Sequence, residues 1–325
     1  MSTKPAIVVH GGCGDVAPAE GAPRQAACAR AADAGFAVLG GGGTALEAAC
    51  EAVRVLEDEP LLNAGAGSYL QADGVARLDA SVMAGDGRAG AVAQVPGLKN
   101  PIRLARYLLE QDAHLMLAGE AALHLGLRLG HEPAVVATPA KVDYWRNHLD
   151  EACRSLDYAR MAAAWKAENK HLGTVGCVAL DAQGRLCAAT STGGTGQCYP
   201  GRVGDSPIIG AGTYCTPRVG VSMTGVGERI MVLLSAKRLS DLVAEGHGIE
   251  AAARTVLQEI EGLKSQAGLI ALDASGHVVT LRNTRFMAEA RRGAWEPGSR
   301  LAGRGTGRPR ARRLGRRPGR REPSR

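Results

Sequence analysis

The spacing of hydrophobic and polar positions predicts alternating strands and helices in the first half of the chain. A short apolar run over 6–9 predicts a strand that leads into the turn His-Gly-Gly. An alanine-rich stretch over 24–39 predicts a helix, and residues 44–56 open with the capping-box pattern Thr-x-x-Glu, which predicts a second one. The Asn-Pro pair that opens 100–111 is typical of a helix N-terminus, so a third helix is expected there.

The second half is dominated by strand patterns. Apolar or β-branched runs predict strands over 174–180, 186–191, 219–223, 269–272 and 278–281. Turn sequences join the first two of these strands into one hairpin and the last two into another. Helical patterns over 225–242 and 249–260 lie between the hairpins. Helices that alternate with hairpins indicate an α+β fold in which helices cover β-sheets on both sides.

Residues 130–170 lie between these halves and have a different pattern. They are polar and charged, show no strand pattern, and are most helical over 161–167. A long segment of this kind is typical of a connection between two layers of structure, and we predict a mobile linker.

Arginine is concentrated at the C-terminal end of the chain. Residues 300–325 contain eleven Arg and one Glu, whereas the whole chain has a formal net charge of +7, so the rest is slightly acidic. The Arg/Gly/Pro-rich segment 291–325 has little apolar surface to bury and is predicted to be a disordered tail. A basic tail can bind nucleic acid electrostatically, but we favour an extension without such a partner.

The cysteines and histidines do not indicate a metal site. The eight cysteines form no CxxC pair and the eight histidines no HxxxH pair, so buried thiols in a reducing compartment are expected instead of zinc ligands. No run of about 18 apolar residues predicts a membrane span. The four-residue apolar run near the N-terminus is too short for a signal peptide, which predicts a cytoplasmic location.

Candidate chemistry begins at Gly173-Thr174, where a strand pattern follows the long polar segment. A threonine hydroxyl needs an adjacent base to act as a nucleophile. Cleavage of the peptide bond before Thr174 would free an α-amine, whose ordinary pKa of about 8 suits that task. The alternative is that Thr174 simply opens a strand, which is the commoner fate of a Gly-Thr pair.

Two further segments contain candidate binding groups. Arg202 and Asp205 stand three residues apart in a Gly/Pro-rich loop. They could hold the carboxylate and the ammonium of a zwitterion, or form a local surface ion pair. Thr224-Gly-Val-Gly227 follows a predicted strand, and the Gly225 N–H with the Thr224 hydroxyl could stabilise an oxyanion. The alternative there is a dinucleotide-binding turn, which would need a third glycine.

Taken in order, these segments resemble the β-subunit of plant-type asparaginases and isoaspartyl aminopeptidases. The motifs are Gly173-Thr-Val-Gly-Cys-Val-Ala-Leu-Asp, Ala189-Thr-Ser-Thr-Gly-Gly, Gly201-Arg-Val-Gly-Asp-Ser-Pro and Thr224-Gly-x-Gly-Glu. The first half of the chain resembles the α-subunit of the same family in three motifs, Val9-His-Gly-Gly, Pro60-Leu-Leu-Asn-Ala-Gly and Leu78-Asp-Ala-Ser-Val-Met. The resemblance covers residues 5–287 except 131–170.

The resemblance implies a four-layer αββα sandwich of the N-terminal-nucleophile hydrolase type. Self-cleavage between Gly173 and Thr174 would give an α-subunit, 1–173, and a β-subunit whose body spans 174–290, assembled as an (αβ)₂ homodimer. The implied activity is hydrolysis of L-asparagine and β-aspartyl (isoaspartyl) dipeptides through an acyl-enzyme on the threonine. It requires no catalytic cofactor and no membrane partner.

The resemblance also implies which residues serve the reaction. Thr192 would orient the nucleophile Thr174, while Thr224 and Gly225 would stabilise the oxyanion. Asn63 would lie near the nucleophile as a supporting polar group.

Substrate and metal ligands are implied in the same way. Arg202 would bind the substrate α-carboxylate, and Asp205 with the Gly227 backbone would bind its α-amine. A structural sodium ion would be held by backbone carbonyls, since hard cations prefer oxygen. Its ligands would be Leu56, Glu57, Glu59, Leu62, Ala64 and Ala66. The alternative for this loop is an ordinary helix C-terminus that enters a turn.

The chain departs from the family pattern near its end. Arg282 stands where an aromatic residue is usual, and no final core segment is expected after Met287.

Two other functions are alternatives. A glycosylasparaginase-type hydrolase would use the same scaffold in a secretory or lysosomal compartment, which the lack of a signal sequence disfavours. A catalytically inactive scaffold with a nucleic-acid-binding tail is disfavoured by the joint presence of five residues: Thr174, Thr192, Arg202, Asp205 and Thr224.

Overall fold

In the computed structural model of the chain, residues 3–161 and 173–293 are described. In the first range the elements are β1 (Ala6–Gly14), α1 (Pro18–Gly40), α2 (Ala45–Glu57), a 3₁₀ turn (Gly65–Gly67), β2 (Arg77–Ala84), β3 (Ala89–Pro96), α3 (Pro101–Gln111), β4 (Met116–Ala118), α4 (Gly119–Arg128), α5 (Pro139–Asn147) and α6 (Glu151–Arg154). In the second they are β5 (Val175–Leu180), β6 (Leu186–Thr192), β7 (Thr213–Cys215), β8 (Val219–Gly225), α7 (Gly227–Leu233), α8 (Ser235–Ala244), α9 (Ile249–Gly262), β9 (Ala267–Asp273), β10 (Val278–Arg282) and β11 (Phe286–Gly293).

The strands form two sheets. The larger has seven strands in the order β11-β1-β5-β6-β2-β3-β4, and the smaller has four in the order β10-β9-β8-β7. All pairs are antiparallel except β3 with β4. The central strands β5 and β6 of the larger sheet come from the second half of the chain, so both halves build one sheet.

Three buried clusters show how helices and sheets pack. Helices α1 to α3 pack on one face of the seven-stranded sheet, with Val53 and Leu104 among the buried residues. Helices α7 to α9 cover one face of the four-stranded sheet, where Val256 is fully buried. A third cluster joins the sheets to each other through side chains such as Val178 of β5 and Ile270 of β9. The protein therefore has a mixed α/β fold with two sheets that share a buried interface.

Most predicted elements are present, with differences at their ends. The capping box of α2 is confirmed: Thr44 accepts a hydrogen bond from the Glu47 N–H, and the Glu47 carboxylate accepts one from the Thr44 N–H. Helix α1 begins earlier than predicted, at Pro18. The single helix predicted over 225–242 is wrong, because Leu234 has a φ of 47° and separates α7 from α8.

The expectation of no core segment after Met287 is also wrong. Strand β11 pairs with β1 along its length and continues to Gly293, so residues 291–293 of the predicted tail belong to the sheet. Met287 and Ala288 are buried, because this edge strand covers β1 and packs against α1. The remainder of the predicted tail, 294–325, lies outside the described residues.

Other predictions concern the linker and the cysteines. Helices α5 and α6 lie within the predicted linker 130–170, whose residues 162–170 are outside the described part, as is most of the helical stretch 161–167. All eight cysteines are buried, as predicted. Within the described ranges, no helix is long and apolar enough to cross a membrane.

Candidate active site

Thr174 lies immediately before β5, near the middle of the seven-stranded sheet. The antiparallel hairpin of β5 and β6 sets Val175 opposite Ser191, so the next residues in the same register are Thr174 and Thr192. Both threonines are buried, and Thr174 Oγ1 donates a hydrogen bond to Thr192 Oγ1 at 3.3 Å. The register of one hairpin therefore brings together the predicted nucleophile and the residue predicted to orient it.

The carbonyl oxygen of Gly173, in the peptide bond that precedes Thr174, accepts two hydrogen bonds from side chains. Asn63 Nδ2 donates one at 2.8 Å and Thr192 Oγ1 donates the other at 3.0 Å. The directions of these hydrogen bonds are compatible with one another, because the Thr192 hydroxyl accepts from Thr174 and donates its only proton to the Gly173 carbonyl. Two donors on one carbonyl oxygen form the arrangement that stabilises an oxyanion during acyl transfer.

The side chain of Asn63 is fixed by hydrogen bonds on both ends of its amide. Nδ2 donates to the Gly194 carbonyl at 2.6 Å as well as to Gly173, and Oδ1 accepts from the Tyr69 N–H at 3.0 Å. This pattern assigns the amide orientation without ambiguity. The backbone carbonyl of Asn63 also accepts from the Gly193 N–H. Asn63 is therefore a positioned donor, in agreement with its predicted location near the nucleophile.

The end of β1 packs against the Gly173–Thr174 bond. Gly12 has a φ of 93°, and a Cβ there would lie 2.9 Å from Gly173 Cα and 3.1 Å from Thr174 N. The neighbouring Cys13 N–H donates to Thr224 Oγ1 at 3.3 Å, which places Thr224 at the same end of β1. Among the described residues, no hydrogen bond joins Thr224 directly to Thr174. A close approach of backbones explains why His-Gly-Gly stands at this position.

Gly225, the second residue predicted to stabilise an oxyanion, lies at the C-terminal end of β8. Its φ is 148°, and a Cβ would lie 2.5 Å from the carbonyl oxygen of Gln266, the residue just before β9. Only glycine fits at this point without displacing the backbone. Gly225 follows Thr224 directly, so both lie near the end of β1.

A row of buried polar side chains connects the two sheets next to Thr174. His10 Nε2 lies 2.9 Å from Ser222 Oγ, which lies 2.7 Å from Thr190 Oγ1, and Thr190 accepts from Thr213. Burial lowers the pKa of His10 to about 3, although a hydrogen bond with the Thr174 backbone opposes the shift. His10 is therefore neutral at physiological pH. Ser222 alternates with the buried apolar residues of β8, and sequence alone did not indicate its partner.

Arg202 forms its ion pair with Glu228 and not with Asp205. Nε and Nη2 of the guanidinium donate to the two Glu228 carboxylate oxygens, each at 2.9 Å. The Arg202 side chain is only 14% exposed, and Asp205 is buried. The alternative of a local surface pair between Arg202 and Asp205 is therefore wrong. Gly204 makes room for the guanidinium, since a Cβ there would lie 2.8 Å from Nη1.

Asp205 presents a carboxylate oxygen for which the described residues supply no hydrogen-bond partner. Oδ2 is buried and unpaired, whereas Oδ1 would lie 2.8 Å from a Cβ on Gly227. Burial raises the pKa of Asp205 to about 7, and the positive charge of Arg202 opposes this rise. An unpaired buried acceptor of this kind fits a ligand that carries a positive charge or a donor. The structure thus brings Arg202, Asp205 and Gly227 together.

Two residues that sequence analysis missed, Gln94 and Asp79, hold the main chain of the Arg202 loop through hydrogen bonds. Gln94 Nε2 donates to the Arg202 carbonyl at 2.7 Å, and the Gln94 N–H donates to Asp79 Oδ1 at 2.7 Å. Asp79 is the β2 partner of Thr192 in the sheet, so it lies between the binding loop and the nucleophile. Burial raises the pKa of Asp79 to about 6, although hydrogen bonds from Gln94 and the positive charge of Arg202 oppose this rise. The available signal was a carboxylate in the middle of a mainly apolar run, from Leu78 to Ala84.

Backbone carbonyls pack closely against two glycines in the loop that follows α2. The carbonyl oxygens of Pro60 and Leu62 would lie 2.5 Å and 2.0 Å from a Cβ on Gly67, and that of Glu57 would lie 2.3 Å from a Cβ on Gly65. The loop is therefore rich in main-chain oxygens held by close backbone packing, and oxygen is the ligand that hard cations prefer. Among the described residues, no group of three or more His, Cys, Asp or Glu side chains could hold a metal ion.

Comparisons with known proteins identify the family of this chain. The family model for asparaginase matches residues 3–297. The isoaspartyl peptidase of Escherichia coli is 39% identical over 300 residues, which is 88% of this chain and 92% of that protein. The plant-type L-asparaginase of Pyrococcus horikoshii is 37% identical, over 88% of this chain and 95% of its own length. The rat isoaspartyl peptidase/L-asparaginase is 39% identical, over 83% and 80%. The chain therefore belongs to the asparaginase family.

Proposed function

We propose that this chain is a self-cleaving threonine amidohydrolase that hydrolyses β-aspartyl dipeptides and L-asparagine through an acyl-enzyme on Thr174. One observation carries the proposal: the carbonyl of the bond before Thr174 accepts hydrogen bonds from Asn63 and Thr192, while the Thr174 hydroxyl points to Thr192. This is the geometry of a bond prepared for attack by its own downstream hydroxyl.

Self-cleavage begins when Thr174 Oγ1 attacks the carbonyl carbon of Gly173. The negative charge on the carbonyl oxygen is stabilised by Asn63 and Thr192. The C–N bond breaks, the amide nitrogen of Thr174 takes up the hydroxyl proton, and an ester joins Gly173 to Thr174. Water then hydrolyses this ester and releases the Gly173 carboxylate. Thr174 is left at a new N-terminus with a free hydroxyl and a free α-amine.

Turnover uses the same hydroxyl with the new amine as its base. The α-amine takes the proton of Thr174 Oγ1, which attacks the side-chain carbonyl of the substrate. Collapse of the tetrahedral intermediate transfers that proton to the leaving nitrogen and releases ammonia or an amino acid. Water hydrolyses the aspartyl ester and gives L-aspartate. Thr224 and Gly225 would stabilise the oxyanion, and Thr192 would orient the nucleophile.

The binding loop suits the aspartyl skeleton of such substrates. Arg202 is a buried cation that would take the α-carboxylate, while Glu228 fixes its plane. The unpaired Oδ2 of Asp205 would accept from the α-ammonium, which would also contact the Gly227 backbone. The two charges would select a free amino acid end over an internal peptide bond.

The finer architecture is part of the same proposal. The two sheets, each covered by helices and packed on the other, support a four-layer αββα sandwich of the N-terminal-nucleophile type. A sodium ion bound by the loop after α2 would hold the segment that carries Asn63, with ligands from the main chain of Leu56, Glu57, Glu59, Leu62, Ala64 and Ala66. It would supply rigidity and take no part in the chemistry. The expected assembly is an (αβ)₂ homodimer.

Activity measurements test the proposal. Purified protein is assayed for ammonia release from L-asparagine and for leucine release from β-Asp-Leu, beside a Thr174→Ala variant. We expect both reactions with the wild type and neither with the variant. Equal rates with the two proteins would overturn the assignment of Thr174, and inactivity of a folded wild type would overturn the hydrolase itself.

A further inference from the structure

A cavity of about 320 Å³ opens beside the catalytic residues on the side of α1 and α5. Asn63, whose amide holds the Gly173 carbonyl, forms part of its wall. Tyr69 and Tyr144 supply an aromatic surface, with ring centroids 5.3 Å apart in an edge-to-face arrangement. The Tyr69 N–H binds Asn63 Oδ1, so this wall is connected directly to the site of attack.

The charged groups around this cavity are unequally paired. Arg24 and Glu20 form an ion pair at 2.9 Å, and Asp15 lies 3.7 Å from Arg285. Lys141, by contrast, forms no ion pair with any described residue. The cavity therefore has one cation whose charge is not neutralised by a carboxylate in the described part of the chain.

Lys141 is held in place although it lacks a carboxylate partner. Its Nζ lies 3.4 Å from the centroid of the Tyr69 ring, a cation–π contact. Its backbone N–H binds the Thr138 hydroxyl in the first turn of α5, which fixes the start of the side chain. Burial lowers its pKa to about 8, which reflects the incomplete solvation of the ammonium group. An anion in the cavity would restore the lost interaction.

The position of the cavity relative to the binding loop gives it a role. Arg202 and Asp205 would hold the α-carboxylate and α-ammonium of the aspartyl part, and neither residue lines the cavity. The group attached to the side-chain nitrogen must extend away from them, past Thr174. Asn63 connects that point to the cavity, whose volume suits one amino acid residue.

On the basis of the proposed function, we propose that this cavity is a subsite for the leaving amino acid of β-aspartyl dipeptides, and that Lys141 binds its free carboxylate. The aromatic pair Tyr69 and Tyr144 contacts its side chain. Asparagine releases only ammonia, which is too small to reach Lys141. The subsite thus favours β-aspartyl dipeptides over asparagine and over dipeptides with a blocked C-terminus.

The test compares three substrates with four proteins. The substrates are β-Asp-Leu, its C-terminal amide and L-asparagine, and kcat and KM are measured for each. The proteins are the wild type, Lys141→Met, Lys141→Arg and a control, Lys99→Met, which removes an exposed lysine paired with Glu132. Methionine retains a flexible stem against the ring but has no charge. The extent of self-cleavage reports whether each variant is folded.

We expect the wild type to prefer β-Asp-Leu over its amide. In Lys141→Met, kcat/KM for β-Asp-Leu should fall about tenfold relative to that for asparagine, mainly through KM, and the preference over the amide should disappear. Lys141→Arg should keep part of the preference, and Lys99→Met should match the wild type. Equal wild-type rates with acid and amide would overturn the subsite, as would a proportional loss on all three substrates in Lys141→Met. A folded wild type that hydrolyses none of them overturns the proposed function and the subsite with it.

Discussion

Replacement of Thr192 by valine tests the hydrogen-bond network at the nucleophile with little change in shape. The Thr192 hydroxyl donates to the Gly173 carbonyl at 3.0 Å and accepts from Thr174 Oγ1 at 3.3 Å and from the Gly194 N–H at 3.1 Å. Valine removes all three hydrogen bonds. Because the residue is only 3% exposed, water cannot readily replace them.

The magnitude follows from the two kinds of hydrogen bond that are lost. Loss of one donor to a developing oxyanion costs about 3–4 kcal/mol, which corresponds to roughly 100- to 1,000-fold in rate. We therefore expect self-cleavage of Thr192→Val to slow at least ~100-fold. The Gly194 N–H loses its acceptor in a part-buried position, which should lower the free energy of unfolding by ~0.5–1.5 kcal/mol.

The assay follows the conversion of freshly synthesised precursor into two fragments by intact mass spectrometry, with urea unfolding in parallel. Thr192→Ser restores the hydroxyl and should recover most of the rate. Thr255→Val serves as the matched control, because among the described residues its hydroxyl binds only the Ala251 carbonyl on α9. If Thr192→Val is folded and cleaves at a rate within about threefold of the wild-type rate, the Thr192 hydroxyl does not stabilise the oxyanion.

Three further predictions concern the binding loop and the polar row between the sheets. Gly227→Ala would place a Cβ 2.8 Å from Asp205 Oδ1 and 2.9 Å from Arg202 Nη2. The KM for asparagine should therefore rise at least ~10-fold while self-cleavage proceeds. An unchanged KM would contradict the predicted position of the substrate. The affinity for L-aspartate, measured by calorimetry, should fall as the pH drops below about 7, because protonated Asp205 no longer pairs with an ammonium. Succinate, which lacks the ammonium, should not show this loss, and a parallel decline for both ligands would exclude Asp205 as the cause. Ser222→Ala leaves the buried His10 Nε2 without its hydrogen-bond partner, whereas Thr190 keeps those with Thr213 and the Gly212 carbonyl. The free energy of unfolding should fall by ~1–3 kcal/mol in urea titrations; no change would indicate that the polar row does not stabilise the fold.

The family resemblance implied that Thr192 orients Thr174, and the predicted hairpin accounts for their proximity. The two residues are 18 positions apart on strands joined by a predicted turn. The capping box of α2 was predictable from the sequence alone, since Thr44 and Glu47 interact within one helical turn. Contacts within one hairpin or one helical turn are therefore the ones that local patterns can explain.

Contacts between distant segments were not predictable in this way. The partner of Arg202 is Glu228, on a different element, and no spacing rule distinguishes it from the nearer Asp205. His10 and Ser222 are 212 residues apart and meet only because the two sheets pack face to face. Strand β11 was missed because its arginine-rich end resembles the tail, whereas pairing with β1 at the sheet edge tolerates charged side chains that point to solvent.

Thr174 is proposed to cleave the bond that precedes it and then to serve as the catalytic nucleophile. Intact mass spectrometry of purified wild type beside Thr174→Ala tests both roles at their common origin. We expect two wild-type fragments that meet at the Gly173–Thr174 bond, and a single uncleaved chain for the variant. A folded wild type that remains one chain after prolonged incubation, or a variant that is cleaved at the same bond, would contradict it.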